Sequence, residues 1–327
     1  MSLVREALEG QGISPSAQEV TLNSWRSSTQ KQYKIYLEKW QRFTNKRTAD
    51  PLQPSLKFIL DFFQELYENG LGYSGMNTAR SALSSIIMLE GHPVGTHPSV
   101  QRYLKGVFQS RPSLPRYNTT WDTTTMLKFL STLSPTQEIN LQLLTYKLVM
   151  LCALVTGQRC QSLHLMSLDS ITKKGNSYLF IIDKLVKQSA PGKYQPVLEI
   201  PEFAPDINLC AATVMDEYIK RTQPLRNDET QLFISFIKPF KKVSKDTISR
   251  WIKKVMNLAG IDTTVFKPHS TRAASTSKAK TCQLSLSTIM KSASWSSDCV
   301  FNRYYNKPIQ GDSESFGHTI LSGAAPD

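Results

Sequence analysis

Residues 141–159 read LQLLTYKLVMLCALVTGQR, and the reading of this run decides the fold. Leu141 to Val155 is the longest apolar stretch in the chain, is interrupted by Gln142 and Lys147, and is too short to span a bilayer. Apolar on nearly every side, it is expected to belong to a helix over 136–155 buried all round inside a core. Gly157 closes that helix in the manner of a C-terminal glycine, and a second helix is expected from Arg159 to about Leu168.

Downstream, Ser177–Asp183 and Gln195–Ile200 are rich in β-branched and aromatic residues and read as strands, with Pro191-Gly192 as a turn signal between them. Further helices are expected over 207–221, 244–258, 269–279, 284–292 and 297–305. Residues 310–327 have no strong period and are expected to form a mobile tail. Upstream, Gln109–Asn118 holds two prolines among polar residues and interrupts every periodic pattern, so 109–118 reads as a linker. Before it, apolar residues recur at helical spacing in four segments: Tyr33/Tyr36/Leu37/Trp40, Ile59/Phe62/Phe63/Leu66, Ala79/Ala82/Leu83/Ile86 and Val100/Tyr103/Leu104/Val107. Ser28 or Thr29 is the expected cap of the first. The fold class that follows is mainly α with a small antiparallel β-sheet: a four-helix domain over 17–108, the linker, and a second domain over 119–309.

Composition narrows the function. The 327 residues carry 39 Lys+Arg against 26 Asp+Glu, a net charge of +13 that favours a nucleic-acid partner. Hydrophobic residues at 40% exclude a disordered basic chain. Five cysteines with no C-x-x-C pair give neither a disulfide framework nor a zinc module. His92, His97, His164 and His318 lack metal-ligand spacing, and MSLVREALEG has no signal-peptide hydrophobic region. The chain therefore reads as a soluble protein of a reducing compartment, with no metal, no membrane and no small-molecule substrate.

Three basic faces are candidate DNA contacts. The first helix of the N-terminal domain offers Lys31 and Lys34, and the third offers Asn77 and Arg80. Around a helix capped by Ser244, whose apolar face is Ile248, Trp251, Ile252 and Val255, stand Lys241, Lys242, Lys245 and Arg250. Cations at this density neutralise phosphates, and such binding weakens steeply with salt. A different arrangement appears in Phe266-Lys-Pro-His269-Ser-Thr-Arg272. Proline at 268 suits a helix start, which puts His269 and Arg272 on one face, able to hold a single phosphate.

In order and spacing, Thr156-Gly-Gln-Arg159, Lys187 between the strands, His269 with Arg272, and Trp295-Ser-Ser-Asp-Cys-Val-Phe-Asn-Arg-Tyr304-Tyr305-Asn-Lys-Pro308 resemble the tyrosine recombinase (phage integrase) family. TGQRCQSLHLMSLD, VSKDTISRWIK, FKPHSTRAASTS and WSSDCVFNRYYNKPI are most similar to recombinases of DIRS-like retrotransposons and Crypton-like elements. The resemblance spans about residues 20–309. It implies a SAM-like N-terminal DNA-binding domain that clamps the duplex with a catalytic recombinase domain. It also implies DNA breakage and rejoining without any cofactor, a homotetramer on two paired sites, and a nuclear location.

By the same resemblance Arg159, His269 and Arg272 bind the scissile phosphate, Lys187 is the hairpin lysine, and Trp295 fills the second His/Trp position. Lys184 is the rival for the hairpin role. Tyr305 is the nucleophile by the element-type pattern, with Tyr304 its rival by the spacing common elsewhere in the family. Ser162 departs from the family, many bacterial members of which carry a supporting glutamate there.

Overall fold

The computed structural model describes residues 1–310 apart from Arg116, Gln188, Lys193 and Ser296. The expected tail over 310–327 thus lies outside the described residues except for Gln310. Internal contacts divide the chain into two units, Met1–Pro115 and Arg116–Asp327.

The first unit contains α1 (Ser2–Glu9), α2 (Pro15–Leu22), α3 (Ser27–Asn45), α4 (Leu56–Glu68) and α5 (Tyr73–Leu83). A two-residue antiparallel pair, β1 (Met88–Leu89) with β2 (His92–Pro93), leads to α6 (Pro98–Ser110). The four periodic segments correspond to α3–α6, but the four-helix expectation undercounts. Two helices precede them, and Leu3, Val4, Ala7 and Leu22 enter the same core. They are eight residues each, too short for a period to stand out. Trp40, Phe43, Phe62 and Phe63 centre this core, and the Trp40 indole donates to Pro51 O at 2.9 Å. Each such ring contributes on the order of 1.5–3 kcal/mol by leaving water. Helix α6 extends through Ser110, so the first two positions of the expected linker are helical. The cap of α3 is the backbone of Arg26, two to three residues before the serine and threonine expected there.

The second unit runs α7 (Thr123–Thr132), α8 (Leu141–Thr156), α9 (Cys160–His164), then β3 (Ile171–Lys174), β4 (Ser177–Ile181) and β5 (Val197–Ile200). It continues with α10 (Ala211–Thr222), α11 (Lys245–Leu258), α12 (Ser270–Thr281), α13 (Leu286–Ala293) and α14 (Asp298–Tyr304). Helix α8 is buried without a break from Leu144 to Leu154 and packs against α10, α11 and α12, as its all-round apolar surface requires. It begins later than expected because the Asn140 side chain accepts from Leu143 N at 2.8 Å and caps it there. Lys147 lies wholly inside, its ammonium donating to Leu133 O at 2.6 Å, and burial lowers its pKa. The antiparallel sheet has order β3-β4-β5, and β3 was not foreseen: three of its four residues are exposed, so no apolar alternation marks it. Helix α7 also lacked a clear sequence signal, and α9 stops at His164, short of Leu168. Among the described residues no helix is long and apolar enough to cross a membrane.

A satellite cluster of Ala273, Ile289, Ala293, Trp295, Phe301 and Tyr305, separate from the main core, joins α12, α13 and α14. It carries most of the site described next.

Candidate active site

Arg159 is placed by the way α8 ends. Gly157 takes a left-handed φ of 58°, and a Cβ there would stand 3.4 Å from Thr276 Cγ2, so the turn lies close against α12. The chain leaves the turn extended and delivers Arg159, half-buried, at the start of α9.

Gln158 fixes the same turn to α13. Its Nε2 donates to Ser292 O at 2.6 Å and to Ser294 Oγ at 2.7 Å, while Ser162 Oγ donates to its Oε1 at 3.0 Å. Ser292 Oγ in turn donates to Thr156 O at 3.1 Å. Ser162, expected as a departure from the family pattern, thus braces Gln158.

Between those anchored residues lies Ala293, whose carbonyl accepts from Arg272 Nη2 at 2.6 Å. Arg272 is only 2% exposed. Its guanidinium stacks over the Trp295 ring at 4.3 Å and near the Tyr305 ring at 5.2 Å. Arg272 Nε, Arg272 Nη1 and Trp295 Nε1 are buried and have no hydrogen-bond partner. Buried donors left in that state are costly, on the order of 1–3 kcal/mol each. Their chemistry fits the oxygens of an anion.

Tyr305 faces this wall. Its ring lies 4.6 Å from that of Trp295, and its hydroxyl is 2.9 Å from His269 Nε2. The two tyrosines part company here: Tyr305 is 9% exposed, whereas Tyr304 is 54% exposed with Arg303 over its ring at 5.3 Å. Ser277 fixes the backbone of Tyr305, donating to its carbonyl at 2.7 Å and accepting from Lys307 N at 3.0 Å.

His269, at the N-cap of α12, has its pKa lowered to about 4, first by burial and then by the charges of Arg272, Arg159 and Lys187. At neutral pH it is therefore an uncharged imidazole, able to accept the tyrosine proton when Nε2 is bare. Arg272 is lowered to about 9, mainly by burial and then by Arg159, and stays charged at neutral pH. The exposed Lys187 is thus close enough to act on His269. Its rival Lys184 acts instead on His164, whose pKa falls through burial and the charges of Lys184, Lys242 and Lys245.

Six of the predicted residues therefore converge: Arg159, Lys187, His269, Arg272, Trp295 and Tyr305. The predicted DNA contacts lie on α3, on α5 and around α11. Lys31 and Lys34 are exposed on α3, and Lys34 lies 3.7 Å from Glu38. Lys241, Lys242, Lys245 and Arg250 are exposed at and before α11, whose Ser244 caps Thr247 N as expected. Asn77 and Arg80 are half-buried on α5. Among the described residues no three His, Cys, Asp or Glu side chains gather as a metal site. Gln158 and Ser277 were missed as contributors, and Ser162 was read only as a departure from the family pattern. The signal that could have found Ser277 is the small-residue run Ala273–Ser277, which permits close backbone approach.

The phage integrase family model matches residues 122–310. Among solved structures, the chain is similar to a lambda integrase dimer bound to a COC′ core site, at 16% identity over 91% of this chain and 94% of that one, TM-score 0.57. It is also similar to the XerH site-specific recombinase in a post-cleavage complex with palindromic difH, at 16% identity over 93% and 86%, TM-score 0.60. A third is the Tn1549 transposon integrase with transposon right end DNA, at 13% identity over 98% and 97%, TM-score 0.59. Identities this low establish a shared fold. A search of curated proteins finds no match.

Proposed function

Because this chain belongs to the phage integrase family of tyrosine recombinases, enzymes that break and rejoin DNA strands, we propose that Tyr305 is its nucleophile and His269 the base that activates it. The carrying observation is the 2.9 Å contact between the Tyr305 hydroxyl and His269 Nε2, set against three buried donors without partners.

A phenol has a pKa near 10, so it must lose its proton as it attacks. Neutral His269 takes that proton while Tyr305 Oη bonds to phosphorus and the bond to the 5′-oxygen breaks. Charge gathers on the non-bridging oxygens, where Arg159, the free edge of Arg272 and Trp295 Nε1 bind the transition state more strongly than the ground state. Lys187, exposed beside the site, returns a proton to the departing 5′-oxygen. The product is a 3′-phosphotyrosyl enzyme. A free 5′-hydroxyl from a partner duplex reverses the step, and the conserved phosphoester energy removes any need for a cofactor.

The finer reading is a recombinase or integrase of mobile-element DNA, of the DIRS-like and Crypton-like type, acting on double-stranded DNA in the nucleus. Its support is the four ordered motifs around Arg159, Ser244, His269 and Tyr305. A homo-oligomer, in the form of a tetramer on paired sites, is part of this proposal; a related lambda integrase is a tetramer on a Holliday junction.

The test uses duplexes nicked within a randomised core. Denaturing gels should show a covalent protein–DNA adduct, and mass spectrometry should place the phosphate on Tyr305 and not on Tyr304. An adduct that survives Tyr305→Phe overturns the assignment. Salt-sensitive DNA binding with no adduct would mark a silent DNA-binding descendant. Supercoil relaxation without strand exchange between sites would mark a topoisomerase-like enzyme.

A further inference from the structure

We propose that Gln158 is a positioning residue for the cleavage step: its carboxamide holds Arg159 at a fixed spacing from Arg272 and Trp295, so that all three reach one phosphate. This rests on the proposed reading of Tyr305 and the donors around it.

The need for such a part follows from where the donors stand. Arg159 leads into α9, Arg272 lies on α12, and Trp295 follows α13. A misplacement of about 1 Å is enough to cost on the order of 10²-fold in rate. Arg272 is anchored through one nitrogen to Ala293 O, so its place depends on how Ala293 is held. Both neighbours of Ala293 are gripped by one group: Gln158 Nε2 donates to the Ser292 carbonyl at 2.6 Å and to the Ser294 hydroxyl at 2.7 Å. Ser294 has a φ of 53° and a ψ of 48°, a left-handed conformation that a serine keeps only when its surroundings impose it. The same turn lays the Trp295 ring against the Arg272 guanidinium. At the other end of the tie, Arg159 is the next residue in the chain after Gln158. Gly157 lets the two segments meet, since a Cβ there would lie 3.9 Å from Ala293 Cβ.

An amide meets all of these demands at once. The Ser292 carbonyl can only accept, which fixes the near atom as the amide nitrogen, and both of its hydrogens are used. The amide oxygen accepts from Ser162 Oγ at 3.0 Å. Gln158 is 5% exposed, so water does not replace a lost partner. A glutamate of the same shape would set a carboxylate oxygen against the Ser292 carbonyl and push the end of α13 away.

The test is single-turnover cleavage by the full chain at saturating duplex, on the sequence that adduct mapping supplies. The cleaved phosphate carries one phosphorothioate, in the Rp or the Sp form, and donors held on defined oxygens discriminate between the two. Gln158→Glu and Gln158→Met should slow cleavage about 10²-fold, leave duplex affinity unchanged and lessen the discrimination. Ser294→Ala, which keeps the bond to Ser292, should slow it about tenfold with the same change in discrimination, and carries the test if the Gln158 variants do not fold. Ser285→Ala removes the cap at the opposite end of α13 and should leave rate and discrimination in place. A normal rate in folded Gln158→Met or in Ser294→Ala would overturn the proposal. So would a slowing with the discrimination intact, an equal slowing in Ser285→Ala, or a wild type indifferent to the two forms. In each of these cases the adduct on Tyr305 still forms and the enzyme reading stands. Failure of the wild type to form any adduct would instead sink the functional reading itself.

Discussion

The wall of donors around Tyr305 and the lysine faces of α3 and α11 are made of the same kinds of side chain, yet they are built in opposite ways. At the wall, Arg272 and Trp295 are buried, stacked and left with unused donors. On the faces, Lys31, Lys241, Lys242 and Lys245 stand in solvent. A buried cation is not screened and cannot wander, so it can be aimed at one developing charge. An exposed one is screened within roughly 8 Å at physiological salt and serves any phosphate that approaches. Under the proposed function, burial is thus what separates the groups suited to chemistry from those suited to adhesion.

The largest effect is expected from removing the hydroxyl of Tyr305, the proposed nucleophile. Tyr305→Phe should abolish adduct formation while leaving DNA affinity unchanged, and Tyr304→Phe should retain adduct formation; gel trapping reads both. Next comes the wall itself. Arg272→Lys, which keeps charge but loses the fork, should slow single-turnover cleavage by about 10²–10³-fold with little change in DNA affinity.

Protonation of His269 separates the two regions in another way. Its folded pKa lies below the unfolded value, so as pH falls from about 6.5 towards 4 the unfolded state takes up a proton that the folded state refuses. Stability is therefore complete above that window and declines through it. His269→Gln should reduce the decline in thermal melts at pH 5. The acid limb of cleavage by the free enzyme should lie near pH 4, not near 6.5.

Ser277→Ala should have a smaller effect, about tenfold on cleavage, because it leaves Tyr305 O buried with its donor gone, and Ser277→Thr should restore much of the rate. Smallest of all, Lys31→Ala should change only the salt slope of DNA binding, by about 1, with the cleavage rate of bound DNA unaltered.

The comparison also explains what could be read from the chain. The all-round apolar run of α8, the Ser244 cap and the spacing from His269 to Arg272 are local patterns, and they appear where expected. The element-type pattern selects Tyr305 and the spacing common elsewhere in the family selects Tyr304, and the two residues differ sharply in burial. What escaped notice is what depends on distant partners. Gln158 reaches Ser292 and Ser294 across more than 130 residues, and nothing in the local sequence marks that contact. Helices α1 and α2 are too short to show a period, and β3 is too exposed to alternate.

The far end of the catalytic unit returns to its beginning. Thr120 N donates to Pro308 O at 2.8 Å, Gln310 N donates to Thr120 O at 2.7 Å, and Thr120 and Ile309 form a parallel bridge. Tyr305 lies only a few residues before this seam, with Ser277 holding its backbone. A domain whose ends meet can be reopened elsewhere. Joining 310 to 120 by a short linker and cutting at the exposed turn after β3 should give a circular permutant that still presents Tyr305 to His269. Such a unit is portable, because its active site is held by a closed loop of chain.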